Sequence, residues 1–215
     1  MIKRIFLDLD GPILDVRPRY HAVYCELVIA LGGTPLGRQE YWQGKRNRTT
    51  ETDLARSSGL AGEALQEFSE RRAQRIETDE SLELDMPWPW SRSTLAELSN
   101  HAELVLVTQR SHRDRLLRQL ERLDLIAPFA AIVSGRGDNT PSAKYSMIES
   151  ARLGAADVLA FVGDTEVDLH SAQKLGVPAI AVLTGIRSRE HLAAANPDAV
   201  LTDLRGLPGW LEQNA

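Results

Sequence analysis

Ile5-Phe6-Leu7-Asp8-Leu9-Asp10-Gly11-Pro12-Ile13-Leu14-Asp15 runs an apolar stretch into two aspartates spaced two apart, then breaks it at Gly-Pro. Side chains alternate across a strand, so Asp8 and Asp10 are expected on one side of a sheet where the strand stops. Two neighbouring carboxylates repel, which disfavours ionising both unless a cation lies between them or one keeps a proton. Such a pair suits a metal site, or a nucleophile beside an acid, better than a solvated turn.

Working outward, short apolar runs recur at Ile2–Asp10, Glu103–Thr108, Ala131–Ser134, Val158–Gly163, Ala179–Leu183 and Ala199–Leu201. Helical patterns follow near Ser111–Leu123, Ser142–Leu153, Val167–Leu175 and Ser188–Ala195. This alternation predicts an α/β fold with a Rossmann-like parallel sheet and helices on both faces. The unbroken apolar Val158-Leu159-Ala160-Phe161-Val162 fits burial on both sides. Residues 16–88 break the rhythm. Pro18 opens a helix, with Tyr20, Val23, Leu27 and Leu31 at helical spacing until Gly32-Gly33 stops it. A second helix is expected around Glu63–Ile76, and no strand. The pattern therefore predicts a smaller helical domain at 16–88 inserted into a core of 1–15 and 89–215. Pro87-Trp88-Pro89-Trp90 would stiffen the junction.

Bulk properties narrow the function. A chain of 215 residues, 43% hydrophobic and 26% charged, can form one large domain or one domain with a smaller companion. Its net charge of −5 argues against a general nucleic-acid binder, yet is compatible with a small anionic substrate. The single Cys25 excludes an internal disulfide, reads as a packing residue and fits a reducing compartment. No apolar run reaches spanning length and no secretory signal is evident, so no membrane partner and a cytoplasmic location are expected. The chain is expected to be a monomer or homodimer.

In parallel sheets ligands gather outside the carboxyl ends of the strands. The chemistry-bearing residues fall there: Asp8 and Asp10, Thr108, Lys144 after Thr140-Pro141-Ser142, and Gly163-Asp164-Thr165-Glu166-Val167-Asp168. Asp164 reads either as a metal ligand or as a helix N-cap, and Asp168 lies four residues on, able to share its side. Thr108 reads as a cap or a ligand. Lys144 in a first helical turn opposes the macrodipole, which favours a nearby anion by roughly a few tenths of a kcal/mol. Together the carboxylates suit Mg²⁺, a hard cation that prefers oxygen. The hydroxyl and ammonium suit phosphate oxygens, and a carboxylate nucleophile suits phosphoryl transfer.

These residues resemble the haloacid dehalogenase-like hydrolase superfamily, in particular its phosphoglycolate phosphatase-like members with a helical cap after the first strand. Asp8, Asp10, Gly11, Thr108, Lys144, Gly163, Asp164 and Asp168 match the family pattern, as do His170–Pro178 and Pro197–Val200. The resemblance implies that Asp8 is the nucleophile and a Mg²⁺ ligand. It implies that Asp10 protonates the leaving oxygen, then activates water, with its backbone carbonyl on the metal. Thr108 and Lys144 would hold the phosphoryl group, with Gln109 counted beside them. Asp164 would complete the metal shell, and Asp168 would bind through water or orient it.

Pro12 departs from the family, which usually has threonine there, and so bears on cap motion and on the placing of Asp10. Within the inserted domain, Tyr41–Thr50 reads as a loop turning at Gly44. Its Lys45, Arg46 and Arg48 are candidates for a second anionic group on a small phosphorylated metabolite. Arg17 and Arg19 are further candidates, whereas Arg71, Arg72 and Arg75 read as surface residues. The implied activity is Mg²⁺-dependent phosphate-ester hydrolysis. A sugar-phosphate mutase, a non-catalytic phosphate-binding module and a dehalogenase are the alternatives; Asp10 disfavours the last, because expelling halide needs no proton.

Overall fold

The structure, a computed structural model, describes residues 3–138, 140–155 and 157–214. Ile2, at the head of the expected first strand, lies outside them. The strands are β1 (Arg4–Leu7), β2 (Leu14–Asp15), β3 (Met86–Pro87), β4 (Glu103–Thr108), β5 (Phe129–Ser134), β6 (Val158–Gly163), β7 (Ala179–Val182) and β8 (Ala199–Leu201). Six of them form one sheet in the order β5-β4-β1-β6-β7-β8, and β2 pairs with β3 separately. Every pairing in the large sheet is parallel, with Ile5 opposite both Leu104 and Ala160.

Alternate residues of β1, β4 and β6 face opposite sides, and both sides are buried: Ile5, Phe6, Leu7, Leu104, Leu106, Phe161 and Val162 are 0% exposed. On one face Phe6, Val105, Val107 and Phe161 pack with Ile148, Leu169 and Ala172 from the helices Ala143–Ser150 and Glu166–Leu175. Phe6 and Phe161 meet edge to face, at 5.8 Å between centroids. The chain moves from β1 through β4 to β5, then crosses back to β6 on the other side of β1. The order thus reverses between β1 and β6, which is where such sheets open a ligand crevice.

The first strand is shorter than Ile2–Asp10. Ile13 and Leu14 both donate backbone N–H groups to the Leu9 carbonyl, and Gly11 donates to that of Leu14. The segment after Asp8 therefore curls back on itself instead of extending the ladder. Gly11, with φ of +101°, makes that curl possible. None of these bonds uses an N–H at residue 12, so proline fits there.

By its internal contacts the chain divides into Met1–Asp15 with Pro87–Ala215, and Val16–Met86. The second unit holds helices Arg17–Ala30, Arg38–Arg46, Glu51–Ser57, Glu63–Arg75 and Asp79–Leu82. Val23, Tyr24, Leu27, Tyr41, Leu54 and Phe68 form its core, with Tyr24 and Tyr41 rings 4.5 Å apart. Arg19 is buried, donating to Asp85 at 2.9 Å. Three of these helices were not expected. They are short and polar, and the apolar spacing that identifies longer helices has no room to repeat in them. No helix among the described residues is long and apolar enough to cross a membrane.

Candidate active site

Two strand ends and the first turns of two helices deliver the charged cluster. The Asp8 N–H continues the ladder past β1 by donating to Val162 at 2.9 Å, which places its side chain beside the end of β6. Asp164 follows β6 directly. It is not the N-cap of the next helix: Thr165 is, in a capping box closed by Asp168. Asp168 Oδ2 accepts from the Thr165 N–H at 3.1 Å and hydroxyl at 2.7 Å, while its Oδ1 accepts from Lys144 Nζ at 2.6 Å. The same Nζ lies 2.6 Å from Asp8 Oδ1. Lys144, in the first turn of Ala143–Ser150, is 2% exposed, so its ammonium is no surface charge.

Oxygens of Asp8, Asp164 and Asp168 lie within 4.8 Å of one another, and all three residues are buried. With all three carboxylates ionised against one ammonium, the cluster would carry an excess of two negative charges. The proton affinities report the imbalance. Burial pushes Asp8 up to about 7, with Asp168 and Asp10 adding to the rise and Lys144 opposing it. Burial likewise raises Asp164 well above the usual carboxylate range, reinforced by Asp8 and Asp168. For Lys144, burial works against the charge, but Asp168 and Asp8 outweigh it and raise its pKa. A divalent cation would cancel the excess, and an all-oxygen donor set fits a hard ion such as Mg²⁺.

Glycines leave room for these carboxylates. A Cβ at Gly185 would fall 1.7 Å from Asp164 Oδ2, and one at Gly163 would fall 2.1 Å from Asp168 Cγ. The Ile186 N–H donates to Asp164 Oδ2 at 2.6 Å, and Arg187 pairs with Glu166 at 2.8 Å, so segments 164–166 and 185–187 are joined twice. Gly185→Ala is expected to push Asp164 aside, weakening Mg²⁺ binding by about 10- to 100-fold and stability by roughly 1–3 kcal/mol. Metal titration and thermal melting check this; unchanged affinity would sink it.

Asp10 stands apart from the trio. Its Oδ1 accepts from Arg110 Nη2 at 2.7 Å and Nε at 3.2 Å. Its loop is fastened by Trp88, whose indole donates to the Gly11 carbonyl at 2.8 Å, and by Ser91, whose hydroxyl donates to the Ile13 carbonyl at 2.7 Å. Thr108 is buried at the end of β4, opposite Ser134. Gln109 is exposed, its amide lying against Gly137.

In the inserted unit the expected turn at Gly44 is absent: Gly44 lies inside Arg38–Arg46, where its missing side chain admits Leu54. Lys45 is buried and pairs with Glu51 at 2.8 Å; Arg46 closes the helix, and Arg48 follows with φ of +64°. Arg72 is not a surface residue, because it also reaches Glu51 at 2.8 Å. Burial raises the Glu51 pKa, but Arg72 and Lys45 overcome that and hold it below the usual range.

Arg110, Trp88, Ser91 and the Gly185-Ile186 pair were not foreseen. Arg110 carried a signal, a cation just past a strand end. Trp88 and Ser91 bond to distant backbone carbonyls, Ile186 acts through its backbone N–H and Gly185 through a missing side chain, none of which a residue pattern advertises.

A family model described as haloacid dehalogenase-like hydrolase matches residues 2–176. A Pseudomonas syringae pv. syringae protein named phosphoglycolate phosphatase is 30% identical over 230 residues, covering 99% of this chain and 81% of its own. A haloacid dehalogenase-like family hydrolase from Streptococcus pneumoniae superposes with a TM-score of 0.76 at 18% identity, covering 97% of this chain and 98% of its own. A putative beta-phosphoglucomutase from Thermotoga maritima superposes at 0.69 and 21% identity, with both chains fully covered.

Proposed function

The chain belongs to the haloacid dehalogenase-like hydrolases, and from that premise we propose a Mg²⁺-dependent phosphatase of a small phosphorylated metabolite. What carries the proposal is the buried trio Asp8, Asp164 and Asp168, two negative charges in excess when all are ionised, with Lys144 bridging Asp8 and Asp168. Asp8, Asp164 and Asp168 would hold Mg²⁺, with Asp10 adding its backbone carbonyl. When bound, the ion neutralises charge so that one anion can approach another.

Asp8 then attacks phosphorus, forming an aspartyl-phosphate as the bond to the leaving oxygen breaks. Asp10 gives that oxygen its proton and afterwards takes one from the water that releases phosphate from Asp8. Lys144, already on Asp8, and Thr108, at the neighbouring strand end, would hold phosphoryl oxygens, with Gln109 at the rim. Residues 16–88 would act as the cap, where Lys45, Arg46 and Arg48 are the specificity candidates; Lys45 would have to exchange Glu51 for substrate.

The relatives named phosphoglycolate phosphatase put glycolate phosphate first among substrates to try. Purified protein with Mg²⁺ is expected to release one phosphate per ester consumed and to stop on chelation. Isomerised sugar phosphate without net release would make it a mutase instead. Silence across a broad panel of phosphate esters would remove the enzymatic proposal.

A further inference from the structure

We propose that Arg110 is a positioning residue for Asp10, orienting the carboxylate that exchanges protons with the leaving group and the attacking water. The inference rests on the phosphatase proposal above. Trp88 and Ser91 grip the Gly11 and Ile13 carbonyls and so fix the backbone of the loop. Neither contact sets the Asp10 side-chain torsions. Arg110 does: two of its donors converge on one oxygen, Oδ1, at 2.7 and 3.2 Å, which turns the whole planar group.

The sheet places this contact. β1 and β4 are hydrogen-bonded neighbours with Leu7 opposite Leu106, so the segments leaving them bring residues 10 and 110 together. Arg110 is itself only 5% exposed, while the Asp10 side chain is 21% exposed. A rigid, enclosed guanidinium thus aims a partly open acid. Lysine, a point charge on a flexible stem, would supply the attraction without the fork.

Acting through Asp10 has a signature that a merely structural arginine would lack. An alkyl ester needs a proton on its leaving oxygen, whereas p-nitrophenolate departs without one, and both esters need the base for the second step. Arg110→Gln is expected to slow glycolate phosphate turnover by about 10- to 100-fold, part of what general acid–base catalysis supplies. With p-nitrophenyl phosphate the variant should instead release a burst of p-nitrophenolate, about one per enzyme, and then hydrolyse its phosphoenzyme slowly. Arg110→Lys should fall between. In an Asp10→Asn background Arg110→Gln should cost nothing further, since residues that act as a unit are not additive. Equal slowing of the burst and of alkyl turnover, or a full additional loss in the Asp10→Asn background, would overturn the positioning role while leaving the phosphatase standing. Absence of turnover in the unsubstituted protein would overturn both.

Discussion

Asp8→Asn is expected to abolish phosphate release, a loss of roughly four orders of magnitude or more, as when other enzymes lose their nucleophile. The amide keeps the shape of the carboxylate but has no anion with which to attack phosphorus. The fold should survive, because buried Asp8 ends the ladder through its backbone N–H, which asparagine retains, and Lys144 keeps Asp168 as its partner. Stability should even gain in cation-free buffer at alkaline pH. Asp8 is held up to about 7 chiefly by burial, against a usual value of 3.8. A carboxylate raised on folding contributes stability that is present below its unfolded pKa and lost as pH rises through the folded one. Metal-free protein should therefore melt lower at pH 8 than at pH 5, and Asp8→Asn should reduce that difference. Phosphate release and melts across this range in chelator make the check; turnover near the parent rate would dismantle the proposed chemistry.

Lys144→Met carries the second large effect. It removes the ammonium that lies 2.6 Å from both Asp8 and Asp168 and leaves three buried carboxylates facing one another. Breaking a buried ion pair on one side costs about 3–5 kcal/mol. At roughly 2–4 °C per kcal/mol for a chain of this size, the melting temperature should fall by about 6–20 °C. Mg²⁺ should restore more stability to this variant than to the parent, because it meets a larger charge excess; binding at a hundredfold over Kd returns about 2.7 kcal/mol. Turnover should be lost even when the metal restores the fold. Melting curves with and without Mg²⁺ decide it: a variant as stable as its parent in chelator would mean that Lys144 does not bridge the acids.

The parallel sheet was legible because its signals are local. Val158–Gly163 and Glu103–Thr108 are strands with the bounds read from the sequence, since an apolar run between polar breaks needs no distant partner to be recognised. Asp8 and Asp164 stood out for the same reason, as acids where buried strands end, and Asp168 as the acid four residues past Asp164. The inserted unit was less readable. Tyr41–Thr50 looked like a basic loop because Gly44 suggests a turn, yet Gly44 lies in the helix Arg38–Arg46, where packing against Leu54 favours glycine.

What the sequence determined by itself was the alternation of strands and helices, and with it which acids emerge at the carboxyl edge of the sheet. Tertiary structure alone decided their partners: Arg110 on Asp10, Ile186 on Asp164, Lys144 between Asp8 and Asp168, Lys45 on Glu51. Periodicity reports on neighbours a few residues apart, whereas most of these contacts join residues from 22 to 136 positions apart. Which of them meet depends on strand order and register, and those are settled only when the sheet assembles.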